Sequence, residues 1–101
     1  METISWEDRD GARWIELEGE LDNEGVGTVR DRFFGAVKSG EGDVIVRMNG
    51  VTFLSSMAVG LLLKARDELH NQDRKLKLSG MTESLRRVLE MMQLTGVFEE
   101  V

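Results

Sequence analysis

Residues 49–63, NGVTFLSSMAVGLLL, join an apolar strand-like run to an apolar helical run through two adjacent serines. A helix that starts directly after a strand has first backbone N–H groups without partners inside the helix, and these groups favour an anion. We expect Ser55 to cap this helix by accepting a hydrogen bond from an amide one turn on. Ser56 then lies at the mouth of the helix, where a phosphate on its hydroxyl would be well placed. The simpler alternative is that both serines serve only to start the helix.

Length and composition restrict the class of protein. At 101 residues, the chain is expected to form one domain, residues 1–101, with a single core. Its hydrophobic fraction of 41% and charged fraction of 32% are ordinary for a globular protein and too apolar for a disordered one. Binding to a phosphate backbone requires a basic face, whereas the net charge is −6. We therefore expect no nucleic-acid partner.

The sequence also bears on compartment and redox chemistry. It contains no cysteine, which excludes disulfides, thiolate nucleophiles and thiolate metal sites. The start, METISWEDRD, has no apolar core of signal-peptide length, and no apolar run approaches the roughly 18 residues of a membrane span. We expect a cytoplasmic protein without membrane insertion.

The chain opens with a predicted β-hairpin. Asp10-Gly11 suits a two-residue turn that requires positive φ, and such a turn pairs Arg9 with Ala12. Trp14 then lies on the outer face of the hairpin and is expected to be partly exposed. The core face of this hairpin carries four apolar side chains: Ile4, Trp6, Ile15 and Leu17.

A strand–helix junction and a further strand follow. GELDNEG, residues 19–25, ends the second strand and starts a helix that is capped by Asp22 or Asn23. The next strand, DVIVRM at residues 43–48, is apolar at its centre, so we expect it to be central and covered on both faces. The buried stripe of the first helix is predicted to contain Val26, Val29, Phe33 and Val37.

Helical periodicity divides the second helix into two sides. The side predicted to be buried contains Ala58, Leu61, Leu62, Ala65 and Leu69, and the side predicted to face outward contains Val59, Gly60, Leu63 and Lys64. KLKLSG, residues 75–80, alternates as a strand near an edge does. The last helix starts after Thr82 as its cap, and Phe98 is expected to pack inward.

This element order predicts the fold class. The order β-β-α-β-α-β-α implies an α/β protein with a small mixed sheet, in which an N-terminal hairpin is followed by parallel strands and three helices. The loops at the carboxyl ends of the parallel strands, residues 20–24, 53–57 and 80–84, are expected at one edge of the sheet. Leu21, Asp22 and Asn23 should therefore lie near Ser55 and Ser56.

These motifs, in this order, resemble the STAS domain of bacterial anti-sigma factor antagonists. The resemblance rests on GELDNEG, on DVIVRMNGVTFLSSMAVGLLLKA, and on KLKLSG with a leucine-rich last helix. It implies a STAS-like fold and a protein switch that is not an enzyme and needs no cofactor or metal. Such a switch binds a serine-kinase anti-sigma factor and is released when that kinase phosphorylates Ser56, and a phosphatase reverses the modification. The implied partner surface comprises Asp22, Asn23, Ser55, Ser56, Met57, Gly60, Leu63 and Lys64.

The chain departs from the family pattern at the serine turn. Where the family commonly has Asp-Ser-Ser/Thr-Gly-Leu-Gly, residues 55–60 read SSMAVG, and Arg47 replaces a second acidic position. Both changes make the neighbourhood less negative, which favours phosphate on Ser56 but removes groups that a kinase could recognise. Ser55 is the alternative acceptor. The motif also fits a branch that binds partners without phosphorylation.

Other classes of function are less consistent with the residues present. His70 is the only imidazole, and about 20 Å of helix separates it from Ser56, so the pair cannot form a nucleophile and base. The phosphate-binding pattern GxxxxGK[ST] is absent, and the adjacent residues 22–24 lack the alternate spacing of a calcium loop. A non-switching accessory subunit of a transport or signalling complex remains the alternative function.

Overall fold

Five strands and three helices alternate along residues 2–101, the part of the chain that this computed structural model describes. The strands are β1 (Thr3–Arg9), β2 (Ala12–Leu21), β3 (Val44–Leu54), β4 (Leu76–Ser79) and β5 (Glu99–Glu100), and the helices are α1 (Asn23–Ser39), α2 (Ser56–His70) and α3 (Glu83–Met91). The predicted fold class is confirmed, with β5 as a short final strand. None of these helices is long and apolar enough to cross a membrane.

The N-terminal hairpin has the predicted register. Asp10 and Gly11 adopt φ values of 55° and 78°, and Arg9 pairs with Ala12. Trp6 pairs with Ile15 as expected, yet its side chain is 44% exposed, so its predicted core position is wrong. The reason is that β1 is the edge strand and has a neighbouring strand on one side only.

The sheet has the order β1-β2-β3-β4-β5, and all pairs except β1 with β2 are parallel. The strand β3 is central, as predicted. Its side chains alternate, however, between fully buried (Val44, Val46, Met48) and half-buried (Ile45, Arg47). Successive crossovers advance in the same direction across the sheet, and right-handed crossovers then place the helices on one face. The prediction that β3 is covered on both faces is therefore wrong.

The helices cover this face with the predicted stripes. All predicted core residues of α1 and α2 are buried, and so is Phe98. Val59 was predicted to face outward but is fully buried. It lies on the same flank of α2 as Arg66, which lines a cleft with Val97 of the C-terminal segment. This segment is anchored to the sheet edge by β5 and by the hydrogen bond from Val101 N–H to the Leu78 carbonyl.

Candidate functional site

The ends of β2 and β3 bring two loops together at one edge of the sheet. Leu21 pairs with Leu54 as the last pair of these strands, and the Ser55 N–H then donates to the Leu21 carbonyl over 2.9 Å. Asp22 directly follows Leu21, and Ser55 directly follows Leu54, so Asp22 and Ser55 lie beside one another. The predicted proximity of residues 21–23 to the serine turn is confirmed.

The third loop expected at this edge leaves the sheet earlier. β4 ends at Ser79 opposite Arg47, whereas β2 and β3 stay paired as far as Leu54. Residues 80–84 therefore do not extend the sheet edge next to the serines.

Both helices that start at this edge are capped by a side chain from the junction. Ser55 Oγ accepts from the Ala58 N–H at 3.2 Å, and Asp22 Oδ1 accepts from the Gly25 N–H at 2.7 Å. Ser55 is thus the predicted N-cap of α2, and of the two candidates for α1, Asp22 and Asn23, it is Asp22 that forms the cap. The positive ends of the α1 and α2 dipoles consequently lie at the same edge of the molecule.

The two serines have different environments. Ser55 is half-buried and its hydroxyl oxygen is engaged in the cap. Ser56 is the first residue of α2, is exposed, and its hydroxyl makes no hydrogen bond within residues 2–101. A modifying enzyme could therefore reach the Ser56 hydroxyl without opening the fold.

Two carboxylates flank Asp22 at this edge. Glu20, near the end of β2, and Glu24, in the first turn of α1, are both exposed. Arg47, expected to make the neighbourhood less negative, lies 4.0 Å from the Glu16 carboxylate on the uncovered face of the sheet. Its charge is therefore directed at Glu16 rather than at the mouth of α2.

The family relation follows from the sequence as a whole. The sequence model of the STAS domain family matches residues 3–101. The chain belongs to the STAS domain family. Comparison with curated protein sequences gave no match.

Solved structures share the fold of this STAS domain. The unphosphorylated form of the anti-sigma factor antagonist SpoIIAA is 24% identical, with a TM-score of 0.78 over 98% of this chain and 88% of that chain. An anti-sigma factor antagonist from Mycobacterium paratuberculosis is 22% identical, with a TM-score of 0.81 over 99% and 85%. The phosphorylated form of the Bacillus cell fate determinant SpoIIAA is 23% identical, with a TM-score of 0.71 over 98% and 91%. At these identities the likeness establishes the fold.

The predicted partner residues of this STAS domain are divided over two sides of α2. Asn23, Ser56, Met57, Gly60 and Lys64 are exposed, and Asp22, Ser55 and Leu63 are half-buried. The groove between α1 and α2 is lined by Met57, Gly60 and Lys64, whereas Leu63 lies on the other flank. The structure thus brings most, but not all, of the predicted set onto one surface.

The predicted partner set lacks three residues that lie next to the serine turn in sequence or line the groove. Phe53 is 51% exposed at the end of β3, where two consecutive side chains face solvent and the alternation breaks. Arg30 and Phe34 of α1 line the groove opposite Gly60. Arg30 and Phe34 are one helical turn apart and lie beside the buried stripe of α1. This spacing could have indicated that the two side chains share one surface.

Proposed function

We propose that this STAS domain is a protein-binding module that acts as an anti-sigma factor antagonist. Its partner would be a serine-kinase anti-sigma factor in the cytoplasm, and its docking surface would be the junction of the β2–α1 loop with the serine turn. The observation that carries the proposal is the hydrogen bond from Ser55 N–H to the Leu21 carbonyl, which holds both loops together beside the exposed Ser56. The solved structures of SpoIIAA, an anti-sigma factor antagonist, share the fold.

Phosphorylation of Ser56 would control this docking surface. A phosphoryl group adds about −1.5 to −2 charges. At the first residue of α2 this charge is favourable to the helix dipole, and the exposed position leaves the core unchanged. A partner that must close over the charge beside Glu20 and Glu24 would lose affinity through desolvation and repulsion. A phosphatase would restore binding.

The geometry favours binding over catalysis. His70 ends α2, the helix that Ser56 begins, so the imidazole lies about 20 Å from the serine hydroxyl. Within the described residues, no group of three or more histidine or acidic side chains is arranged to hold a metal ion. His70, the one imidazole in the sequence, is therefore too far from Ser56 to activate its hydroxyl as a nucleophile.

Met57 favours a second candidate, a STAS subunit that binds its partner without a phosphorylation switch. When residues 55–60 are matched in order to Asp-Ser-Ser/Thr-Gly-Leu-Gly, Met57 takes the place of the second hydroxyl residue. Its side chain is 50% exposed, so an apolar contact replaces a hydroxyl on the proposed surface. Such a protein would dock constitutively, as an accessory subunit of a transport or signalling complex.

Phosphorylation by the candidate kinase distinguishes these two functions. The protein is incubated with the kinase and ATP, its intact mass is measured, and the modified residue is mapped. We expect the mass of one phosphoryl group, no addition to Ser56→Ala, and an addition to Ser55→Ala. Absence of modification on the wild-type protein, with stable kinase binding, would identify the constitutive subunit instead.

Binding measurements test the switch itself. We expect Ser56→Ala to bind the kinase as the wild type does and Ser56→Asp to bind more weakly in titration calorimetry, because only the second variant places charge in the interface. Equal affinities of the two variants would contradict control at this position.

A further inference from the structure

A groove runs between α1 and α2 and opens beside Ser56. Its near part encloses about 220 Å³, and the apolar side chains of Val26, Phe34, Met57 and Leu61 line it. A far part of about 360 Å³ continues along the same two helices. At the far end, the ion pair between Lys38 and Glu68 crosses from α1 to α2 at 3.9 Å. The near end, at Met57, forms the entrance next to the serine turn.

Two cations border the near part of the groove. Arg30 on α1 and Lys64 on α2 are both exposed, and neither forms an ion pair with any residue of the described range 2–101. Lys64 Nζ instead lies 5.5 Å from the centroid of the Phe34 ring. No acidic side chain lines this part of the groove, although the chain carries a net charge of −6. The near part of the groove is therefore a local positive surface on an acidic protein, whereas Asp31 and Glu68 line the far part.

Gly60 forms part of one wall of the groove, in the interior of α2. A Cβ atom added at Gly60 would meet no atom within 4 Å, so packing inside the protein does not require glycine there. Glycine is less favourable than alanine inside a helix. The bare backbone at Gly60 instead allows another chain to approach the groove closely.

From these features, we propose that the groove binds an amphipathic helical segment of a partner protein, presenting an apolar side chain flanked by carboxylates. The apolar side chain would fill the space between Phe34, Met57 and Leu61, and the carboxylates would pair with Arg30 and Lys64. That this partner is the anti-sigma factor rests on the function proposed above. A phosphate on Ser56, next to Met57 at the entrance, would repel the same carboxylates.

Two synthetic helical peptides test the groove directly. One carries a leucine flanked by glutamates, and the other has lysines in place of those glutamates. Each is titrated into the isotope-labelled protein, residues 1–101, while backbone amide NMR shifts are recorded. We expect saturable shifts at Met57, Gly60 and Lys64 with the glutamate peptide, and affinity lower by about tenfold or more with the lysine peptide, because like charges then face Arg30 and Lys64.

Variants of the protein provide the controls. Lys64→Glu and Gly60→Leu are expected to lower the affinity for the glutamate peptide, the first by reversing a charge and the second by filling the groove. Arg87→Glu changes the net charge as Lys64→Glu does, but Arg87 is an exposed residue on α3 outside the groove, so it should leave affinity unchanged. Unchanged amide shifts away from each substitution confirm that the fold is intact.

The possible results separate this proposal from the proposed function. Absence of saturable shifts in the groove, or equal affinity for the two peptides, would overturn the groove proposal even if the kinase modifies Ser56. Groove binding that is lost in Lys64→Glu and retained in Arg87→Glu would support it even if the kinase does not modify the protein.

Discussion

Replacing Ser55 with alanine separates the capping serine from the exposed one. The substitution removes the oxygen that accepts from the Ala58 N–H at 3.2 Å, leaving that amide without a protein partner at the start of α2. Loss of a serine cap typically destabilises a protein by about 1 kcal/mol, within a range of roughly 0.5 to 2 kcal/mol. The distance is at the long end for an N–H···O bond, and water can reach the half-buried site. We therefore expect a loss of about 1 kcal/mol.

Ser56→Ala is the matched comparison. The Ser56 hydroxyl has no hydrogen bond within the described part of the chain and is exposed, so its removal should change the free energy of unfolding by less than about 0.5 kcal/mol. For a chain of this size, a loss of about 1 kcal/mol in Ser55→Ala corresponds to a decrease in Tm of roughly 4 to 8 °C. The two substitutions are adjacent and chemically identical. Their difference therefore reports the cap alone.

Urea unfolding monitored by circular dichroism measures both variants, with the slope of the transition compared to exclude changes in the unfolded state. Thr82→Ala is a control of known geometry, because Thr82 caps α3 by accepting from the Leu85 N–H at the same 3.2 Å. We expect Thr82→Ala to lower the free energy of unfolding by about as much as Ser55→Ala does. A destabilisation of Ser56→Ala equal to that of Ser55→Ala would refute the assignment of the cap.

Two further predictions concern stability. Gly60→Ala should raise the free energy of unfolding by up to about 1 kcal/mol, since its Cβ meets nothing, whereas Gly25→Ala should lower it, since its Cβ would collide with the Glu20 carbonyl. A less stable Gly60→Ala or a more stable Gly25→Ala in urea unfolding would contradict this. The hydrogen bond from Arg13 lowers the pKa of Asp8, so Asp8 stabilises the fold above its unfolded pKa of about 3.9, and this contribution is lost as pH falls through the lower folded pKa. Asp8→Asn should therefore be less stable than the wild type at pH 7 and equal to it at strongly acidic pH, and a difference independent of pH would exclude this role.

Local chemistry made much of the fold predictable. The Asp10-Gly11 turn determines its own register because few dipeptides tolerate positive φ at both positions, and the predicted pairing of Arg9 with Ala12 is present. Ser55 and Asp22 were identifiable as caps because a cap depends only on the next three residues. Their proximity followed from parallel topology, which aligns the ends of β2 and β3.

Tertiary packing decided the features that the sequence did not reveal. Val59 is fully buried although its position in the helix predicts an outward side chain, so its burial depends on packing that helical periodicity does not encode. The uncovered face of β3 results from the strand order, which local patterns do not specify. In the candidate site, Arg30 and Phe34 were missed because their role depends on how α1 packs against α2. The phosphorylation of Ser56 stays a prediction.

The link between the two loops of the junction consists of main-chain atoms, the Ser55 amide and the Leu21 carbonyl. Side-chain substitutions other than proline preserve both atoms, so the link survives wherever the strand register survives. The backbone shape of the junction therefore does not depend on which side chains the junction displays. Substitutions in the SSMAVG turn can therefore change the side chains that the proposed docking surface displays without rebuilding the scaffold.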